Sequence, residues 1–326
     1  MTFSYSVAIR TLGTAGEKYN KLMDSINEQV IQPKEVVVVL PVGYKLPDCR
    51  IGNEIFVFSK KGMIEQRLFA LNYITSDYIL FCDDDVEFPP DFVQKLSDAF
   101  LSGKYACAAG PLLSFFPPPG IKYLIASLLG GACVMLHGKK HQYVRLLNTA
   151  GWSYNRDINT NEHKFYDTDS LAWTCFCVSK KAVESIHFMD ESWADVNGYA
   201  GYDDQLFFTK LKLNGYYSCV VSDAYYIHND GKTSKDNLKL EPIYAQKRNH
   251  YVFWHRCMFS VCKNPLKKAW MKICIEYFIR INLIYNRFKL KKEYGQDAYD
   301  IAVKGFKDGK KYIRSDEYKS LPPVIV

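Results

Sequence analysis

The chain has 326 residues, 48% hydrophobic and 15% aromatic, with a formal net charge of +7. That composition supplies ample core and excludes a disordered or fibrous chain. The ten cysteines include no Cys-x-x-Cys pair, which argues against a zinc site, and no apolar span is long enough for a transmembrane helix.

Met1-Thr2-Phe3-Ser4 leads straight into a strand, Tyr5-Ser6-Val7-Ala8-Ile9, so the expectation is no signal peptide and a reduced, cytoplasmic setting. Arg10-Thr11-Leu12-Gly13-Thr14-Ala15-Gly16 is a polar turn, and Tyr19, Leu22, Met23, Ile26 and Val30 then share one helical face before Pro33. A first strand–turn–helix is a usual place to bind a nucleotide. Glu35 to Leu40 and Ile55 to Phe58 read as two more buried strands, Gln66 to Tyr73 as a helix, and Tyr78 to Cys82 as a fourth strand. Strands and helices alternating at this spacing imply a parallel sheet with right-handed crossovers.

The fourth strand runs into Asp83-Asp84-Asp85, followed by Val86-Glu87-Phe88-Pro89-Pro90 and an Asp91 placed to cap a helix. Three carboxylates at the C-terminal end of a buried strand lie where open α/β sheets bind ligands. They repel one another unless a cation compensates, and oxygen ligands suit Mg²⁺ or Mn²⁺. The competing reading is an ordinary solvated acidic turn.

Phe115 to Gly120 forms a rigid proline-rich loop, and the apolar stretch from Tyr123 to Leu136 is a buried helix or a flap. Asn155 to Ser170 reads as a polar loop. Trp152, Trp173 and Trp193 could stack on sugar or simply pack the core. Cys82, Cys107, Cys133, Cys175, Cys177 and Cys219 sit in apolar segments as small hydrophobes. Gly201 to Tyr216 reads as a helix with Asp203 and Asp204 at its start, where the helix dipole favours carboxylates, and with Gly215 at its end. Ser218 to Val221 is a short strand, and Tyr226-Ile227-His228 follows.

Charge divides unevenly. Residues 232–326 carry 21 basic and 9 acidic side chains, the first 231 carry 21 and 26. Lys267 to Lys292 reads as one helix, with Lys268, Lys272, Glu276 and Arg280 in a charged stripe and Trp270, Ile273, Tyr277, Ile281, Ile284 and Phe288 on apolar faces. Such a helix suits an anionic membrane surface, or packs on the rest of the protein with its charges outward.

Taken together, Arg10-Thr11, the Asp83-Asp84-Asp85 triplet, Phe188-Met189-Asp190-Glu191, Gly201-Tyr202-Asp203-Asp204, Gly215-Tyr216 and His228, in this order, resemble family 2 glycosyltransferases of the GT-A fold. The resemblance covers roughly residues 4–232, with an echo in Ala245 to Tyr251. It implies a Rossmann-like, mainly parallel sheet flanked by helices over residues 1–235, with a nucleotide-sugar half near 1–110 and an acceptor half near 111–235. Residues 236–326 are then a basic helical extension. The implied activity is transfer of a sugar from a nucleotide-diphosphate donor, UDP-linked by preference, to a saccharide or lipid-linked saccharide hydroxyl. The transfer is expected to be metal-dependent and inverting, to serve bacterial surface polysaccharide, to occur at the inner face of the cell membrane, and to involve no nucleic acid. By the same resemblance Asp85 and His228 hold a divalent cation, Mn²⁺ or Mg²⁺. Arg10, Thr11, Arg67, Asp83 and Asp84 meet the donor, and Asp204 is the base, with Asp203 as its alternative. One departure is plain: the family usually carries an aspartate just after the second strand, and Val39-Leu40-Pro41-Val42-Gly43 offers none, with Asp48 too far along.

Two other readings compete. A sugar-nucleotidyltransferase would carry a dense glycine- and basic-rich loop after the first strand, whereas this loop has Arg10 and Lys18 without a glycine run. An inactive glycan- or nucleotide-binding module would not need the whole acidic set.

Overall fold

The structure, a computed structural model, describes residues 3–48, 51–132, 142–229 and 240–326. Its chain order opens with β1 (Tyr5–Arg10), α1 (Glu17–Asn27), β2 (Val36–Pro41), β3 (Glu54–Ser59), α2 (Met63–Phe69) and β4 (Tyr78–Asp83). A short β5 (Val86–Glu87), α3 (Phe92–Leu101), β6 (Tyr105–Ala109), α4 (Ile121–Gly130), β7 (Val144–Leu146) and β8 (Trp152–Tyr154) follow. Next come β9 (Phe165–Thr168), β10 (Cys175–Ser179), α5 (Lys180–Ser185), α6 (Asp203–Leu213), β11 (Tyr217–Val221) and β12 (Ile227–His228). The chain closes with α7 (Leu240–Phe253), a π turn (Trp254–Phe259), α8 (Pro265–Tyr294), α9 (Gln296–Tyr312) and α10 (Asp316–Ser320).

The valine run of β2 and the apolar runs of β1 and β4 are buried on both faces, as parallel central strands require. They form an eight-stranded sheet in the order β3-β2-β1-β4-β10-β6-β11-β9. Four of its seven neighbouring pairs are parallel; β10 runs antiparallel to both β4 and β6, and β9 antiparallel to β11. The sheet is therefore mixed, with its parallel block at the β1 to β4 side. Alternate strand residues divide the core. Val7, Ile9, Val36, Val38 and Leu80 face Leu22, Met23, Phe92 and Leu96 of α1 and α3. Ala8, Val37, Val39, Ile79, Phe81 and Phe176 face the opposite layer of Ile64, Leu68, Phe207 and Phe208. That second layer continues without a break into Val252, Phe253, Met271, Ile275, Phe278 and Phe306 of the C-terminal helices.

Several local expectations are corrected. Val30 lies beyond the end of α1 and is exposed. Asp91 makes no side-chain cap to α3 and instead pairs with Lys95 at 2.8 Å, one turn on. The polar stretch before Ser170 contains β9, an edge strand paired on one side only. The apolar segment after Gly120 is helical from Ile121 to Gly130 and has no buried residue. Cys133, and the rest of that stretch to Leu136, lie outside the described residues. α8 is one helix as expected, and Glu276 of its charged stripe pairs with Lys310 of α9 at 2.6 Å. No described helix is long and apolar enough to cross a membrane.

Candidate active site

The C-terminal ends of β1 and β4 lie side by side, with Arg10 in register with Asp83. Each aspartate of the triplet has its own partner. Asp83 accepts from Arg10 Nη2 at 3.3 Å and from Arg67 Nη2 at 3.4 Å. Asp84 accepts from the Thr11 hydroxyl, which itself accepts from the Gly13 amide at 2.9 Å. Gly13 has φ +75°, and a Cβ there would lie 2.1 Å from the Lys45 carbonyl oxygen, so only glycine lets this turn pack on the loop after β2. Asp85 faces His228 Nε2 at 3.2 Å. The two meet because β5 and β12 form a two-stranded ladder that pairs His228 with Val86, and the Asn229 amide donates to the Asp85 carbonyl at 2.7 Å.

Burial lifts the Asp84 carboxyl above the ordinary carboxylate range, aided by its two acidic neighbours and opposed by Thr11 and Arg10. Burial works upward on Asp85 too, but the hydrogen bond and charge of His228 outweigh it, and its pKa lies below the ordinary value. Asp85 thus stays ionised more readily than Asp84. Among the described residues no three His, Cys, Asp or Glu side chains cluster as a complete metal cage.

The second acidic motif joins the first through Arg67. Its Nη1 donates to Asp203 Oδ2 at 2.7 Å while Nη2 reaches Asp83, and its guanidinium lies on the Trp173 ring, 4.4 Å from the centroid. The buried fork is held by Asp83 and Asp203, so Arg67 ties strand end to helix start. α2, which carries Arg67, is itself fixed from afar: the Met63 amide donates to Asp195 Oδ2 at 2.7 Å.

Asp204 is held differently. The Trp173 amide donates to its Oδ1 at 3.2 Å, and it lines a cavity of about 180 Å³ together with Phe116, Tyr143, Trp152, Tyr154 and Tyr226. On its other side a cleft of about 460 Å³ runs past Trp152, Tyr202 and Gln246. Burial, then the charge of Asp203, pushes the Asp204 carboxyl well above the ordinary range; burial raises Asp203 as well, against the pull of Arg67 and Arg10.

The residue before this pair, Tyr202, has φ +73°, a left-handed conformation that costs a non-glycine residue about 1–3 kcal/mol unless its surroundings hold it. His250 supplies the hold. Burial pushes its pKa down to about 3, so the ring is neutral. Its Nε2 lies 2.8 Å from the Thr149 carbonyl and must be the N–H donor there. Nδ1 is then left to accept from the Tyr202 hydroxyl. Next to it, Asn249 donates to the carbonyls of Ala194, at 2.6 Å, and Gly201, at 2.9 Å. The echo segment of α7 therefore braces the loop that carries Asp203 and Asp204. Of the three tryptophans between the motifs, Trp173 and Trp193 are buried in packing roles, and only Trp152 lines both cavities.

The sequence profile of glycosyl transferase family 2 matches residues 50–184. The uncharacterized glycosyltransferase YwdF of Bacillus subtilis (strain 168) is 23% identical over 159 residues, which cover 46% of this chain and 57% of YwdF, a little over half its length. Over residues 50–184 the chain is similar to glycosyl transferase family 2, and the YwdF match is similar in kind. Two solved structures share its fold. One is S. aureus TarS 1–349 in complex with UDP-GlcNAc, at TM-score 0.53 and 14% identity over 94% of this chain and 80% of that one. The other is the mannosyltransferase PcManGT from Pyrobaculum calidifontis in complex with GDP-Man and Mn²⁺, at TM-score 0.50 and 13% identity over 98% of this chain and 83% of that one. The fold is GT-A. The family 2 match contains Arg67 and the acidic triplet, while Arg10, Asp203, Asp204 and His228 lie outside it.

Proposed function

We propose that this chain is a family 2 glycosyltransferase that transfers a glycosyl group from a nucleotide-diphosphate sugar to an acceptor hydroxyl with inversion at the sugar carbon. The observation that carries the reading is the Arg67 bridge, which gathers Asp83 and Asp203 at one sheet edge and leaves Asp204 facing a separate aromatic cavity. Donor and acceptor then approach from opposite sides of the acidic cluster. The acceptor oxygen attacks the sugar's anomeric carbon, its proton passes to Asp204, and the bond from that carbon to the diphosphate breaks. A carboxyl raised by burial is a stronger base than a solvated one, which suits Asp204 to the task. Asp203, neutralised by Arg67, serves to position it.

Asp85, in the turn before β5, and His228, on β12, bring one carboxylate oxygen and one imidazole nitrogen within 3.2 Å of each other and would hold a divalent cation such as Mn²⁺ or Mg²⁺. Such an ion supplies neutralisation of the charge on the leaving diphosphate. Arg10, Thr11, Asp83 and Asp84 form the donor side. That TarS was crystallised with UDP-GlcNAc and PcManGT with GDP-Man and Mn²⁺ supports a nucleotide-sugar donor without choosing the base. A role in bacterial surface polysaccharide, with peripheral placement at the inner face of the membrane through residues 267–292, accords with the basic C-terminal part.

Calorimetry with UDP- and GDP-sugars, with and without Mn²⁺, tests the reading. The wild type binds one donor class more tightly with Mn²⁺. Asp85→Asn loses the Mn²⁺-dependent part while its melting curve stays cooperative. Metal-dependent binding that survives in the variant rejects Asp85 as the ligand, and no donor binding by either protein rejects the activity.

A further inference from the structure

α4 is patterned inside out. Ile121, Leu124, Ile125 and Leu128 recur at intervals of three and four residues, so they share one helix face. That face points to solvent, with Ile121 and Leu124 exposed by 73% and 67%. The less exposed side is Tyr123, Ala126, Ser127, Leu129 and Gly130. α8 repeats the arrangement beside it. Met271, Cys274, Ile275, Phe278 and Ile279 face the core, while Ile273, Ile284 and Phe288 stand exposed on the opposite face. Arg280, Arg287 and Lys291 fall between them on that same outward face and are exposed. The two helices are joined: Tyr277 Oη donates to the Leu128 carbonyl at 2.9 Å, and Asn282 Nδ2 to the Leu129 carbonyl at 3.0 Å.

We propose that the outward faces of α4 and α8 form one docking surface for an anionic lipid bilayer, and that it sets the acceptor cavity at the lipid surface. Apolar side chains interleaved with Arg and Lys match acyl chains beneath anionic headgroups. The same charges oppose a second copy of the chain, since two such faces would bring like charges together. Over its 30 residues α8 carries eight Lys and Arg against two Glu. The surface also reaches the cavity. Tyr123 Oη donates to the Tyr154 carbonyl at 2.8 Å, and Gly130 packs so closely on Trp152 that a Cβ would sit 3.0 Å from its carbonyl oxygen. Trp152 and Tyr154 line the cavity with Asp204. Docking itself does not depend on the glycosyltransferase reading. The consequence that the acceptor is a saccharide carried on a lipid does.

The test is co-sedimentation with phosphatidylglycerol and phosphatidylcholine vesicles. Wild type binds the anionic vesicles, and binding weakens with salt. Ile121→Glu with Leu124→Glu lowers the partition about tenfold or more, since each side chain withdrawn from lipid forfeits most of its transfer energy. Changing Arg280, Arg287 and Lys291 to Gln removes the preference for anionic lipid. Both variants keep the wild-type melting temperature and nucleotide-sugar binding without vesicles. Equal vesicle binding by wild type and variants, or none by any of them, overturns the proposal. So does a wild-type dimer in light scattering that the α4 variant splits. Intact docking in a protein that binds no nucleotide sugar supports the surface and sinks only the proposed activity.

Discussion

Asp204 stands between its acidic neighbour Asp203 and the Trp173 amide, and burial holds its carboxyl well above the ordinary pKa. A carboxyl raised in the folded state favours the neutral form there. Its contribution to stability is present at acid pH and is lost as pH rises through the folded value. Once ionised, the buried Asp204 carboxylate therefore works against the fold. Asp204→Asn is expected to raise the melting temperature near pH 7, because the amide oxygen can still accept from Trp173 and the buried charge is gone. The same change lowers transfer by about 10²–10⁴-fold, the usual worth of a positioned base. Paired melting and turnover measurements check both; a lower melting temperature together with retained turnover rejects the assignment. The wild-type rate should climb with pH through an apparent pKa above that of a solvated aspartate. Such residues were legible in sequence because the triplet ends an apolar run and the Asp203-Asp204 pair opens a helix. Their partners were not. Arg67 and Asp203 are 136 positions apart and Met63 and Asp195 are 132 apart, and nothing local in either segment announces the other.

At the scale of elements, α7 and α9 pack through missing side chains. Ala298, Ala302, Gly305 and Gly309 line the buried side of α9. A Cβ at Gly305 would lie 2.8 Å from the Tyr244 carbonyl oxygen, and one at Gly309 would lie 2.7 Å from that of Arg248. In a free helix Gly→Ala gains about 1 kcal/mol. Here each new methyl meets backbone of a packed helix, and overpacking costs about 1–3 kcal/mol. Gly305→Ala with Gly309→Ala should therefore lower the melting temperature. It should also reduce activity, because α7 carries the Asn249 and His250 that hold the Asp203 loop. A stabilised double variant would show that the helices separate freely. Long elements were readable: β1 to β4 from apolar runs, α6 from its terminal signals and α8 from its periodicity. β9 reads as loop in the sequence because Phe165-Tyr166-Asp167-Thr168 has one ladder partner and little apolar alternation. For α4 the sequence allows a buried helix or a flap and does not choose, since periodicity fixes which residues share a face but not which way it points.

At the scale of the whole molecule, one core serves the sheet and the C-terminal helices. Its polar centre is Glu191, which accepts from Arg256 Nε at 2.7 Å, Arg256 Nη2 at 2.8 Å and Lys210 Nζ at 3.0 Å. Burial pushes Glu191 upward, but these partners more than offset it and keep its pKa below the ordinary value. Breaking a buried ion group by removing one member costs about 3–5 kcal/mol. A chain ended after residue 235 loses Arg256 and uncovers the apolar layer around Phe207 and Trp193. It should give no cooperative melting transition and no near-ultraviolet circular dichroism of a packed core; a sharp transition would mean the first 235 residues fold alone. The Glu191–Arg256 ion pair also limits where two relatives could be recombined. A crossover between relatives anywhere from 191 to 256 can part an acid from its base, so a borrowed tail needs the borrowed Phe188–Ala194 turn with it. Chimeras joined at the apparent seam near 235 should be rescued by matching residue 191 to the incoming helix, and not by redesigning the exterior.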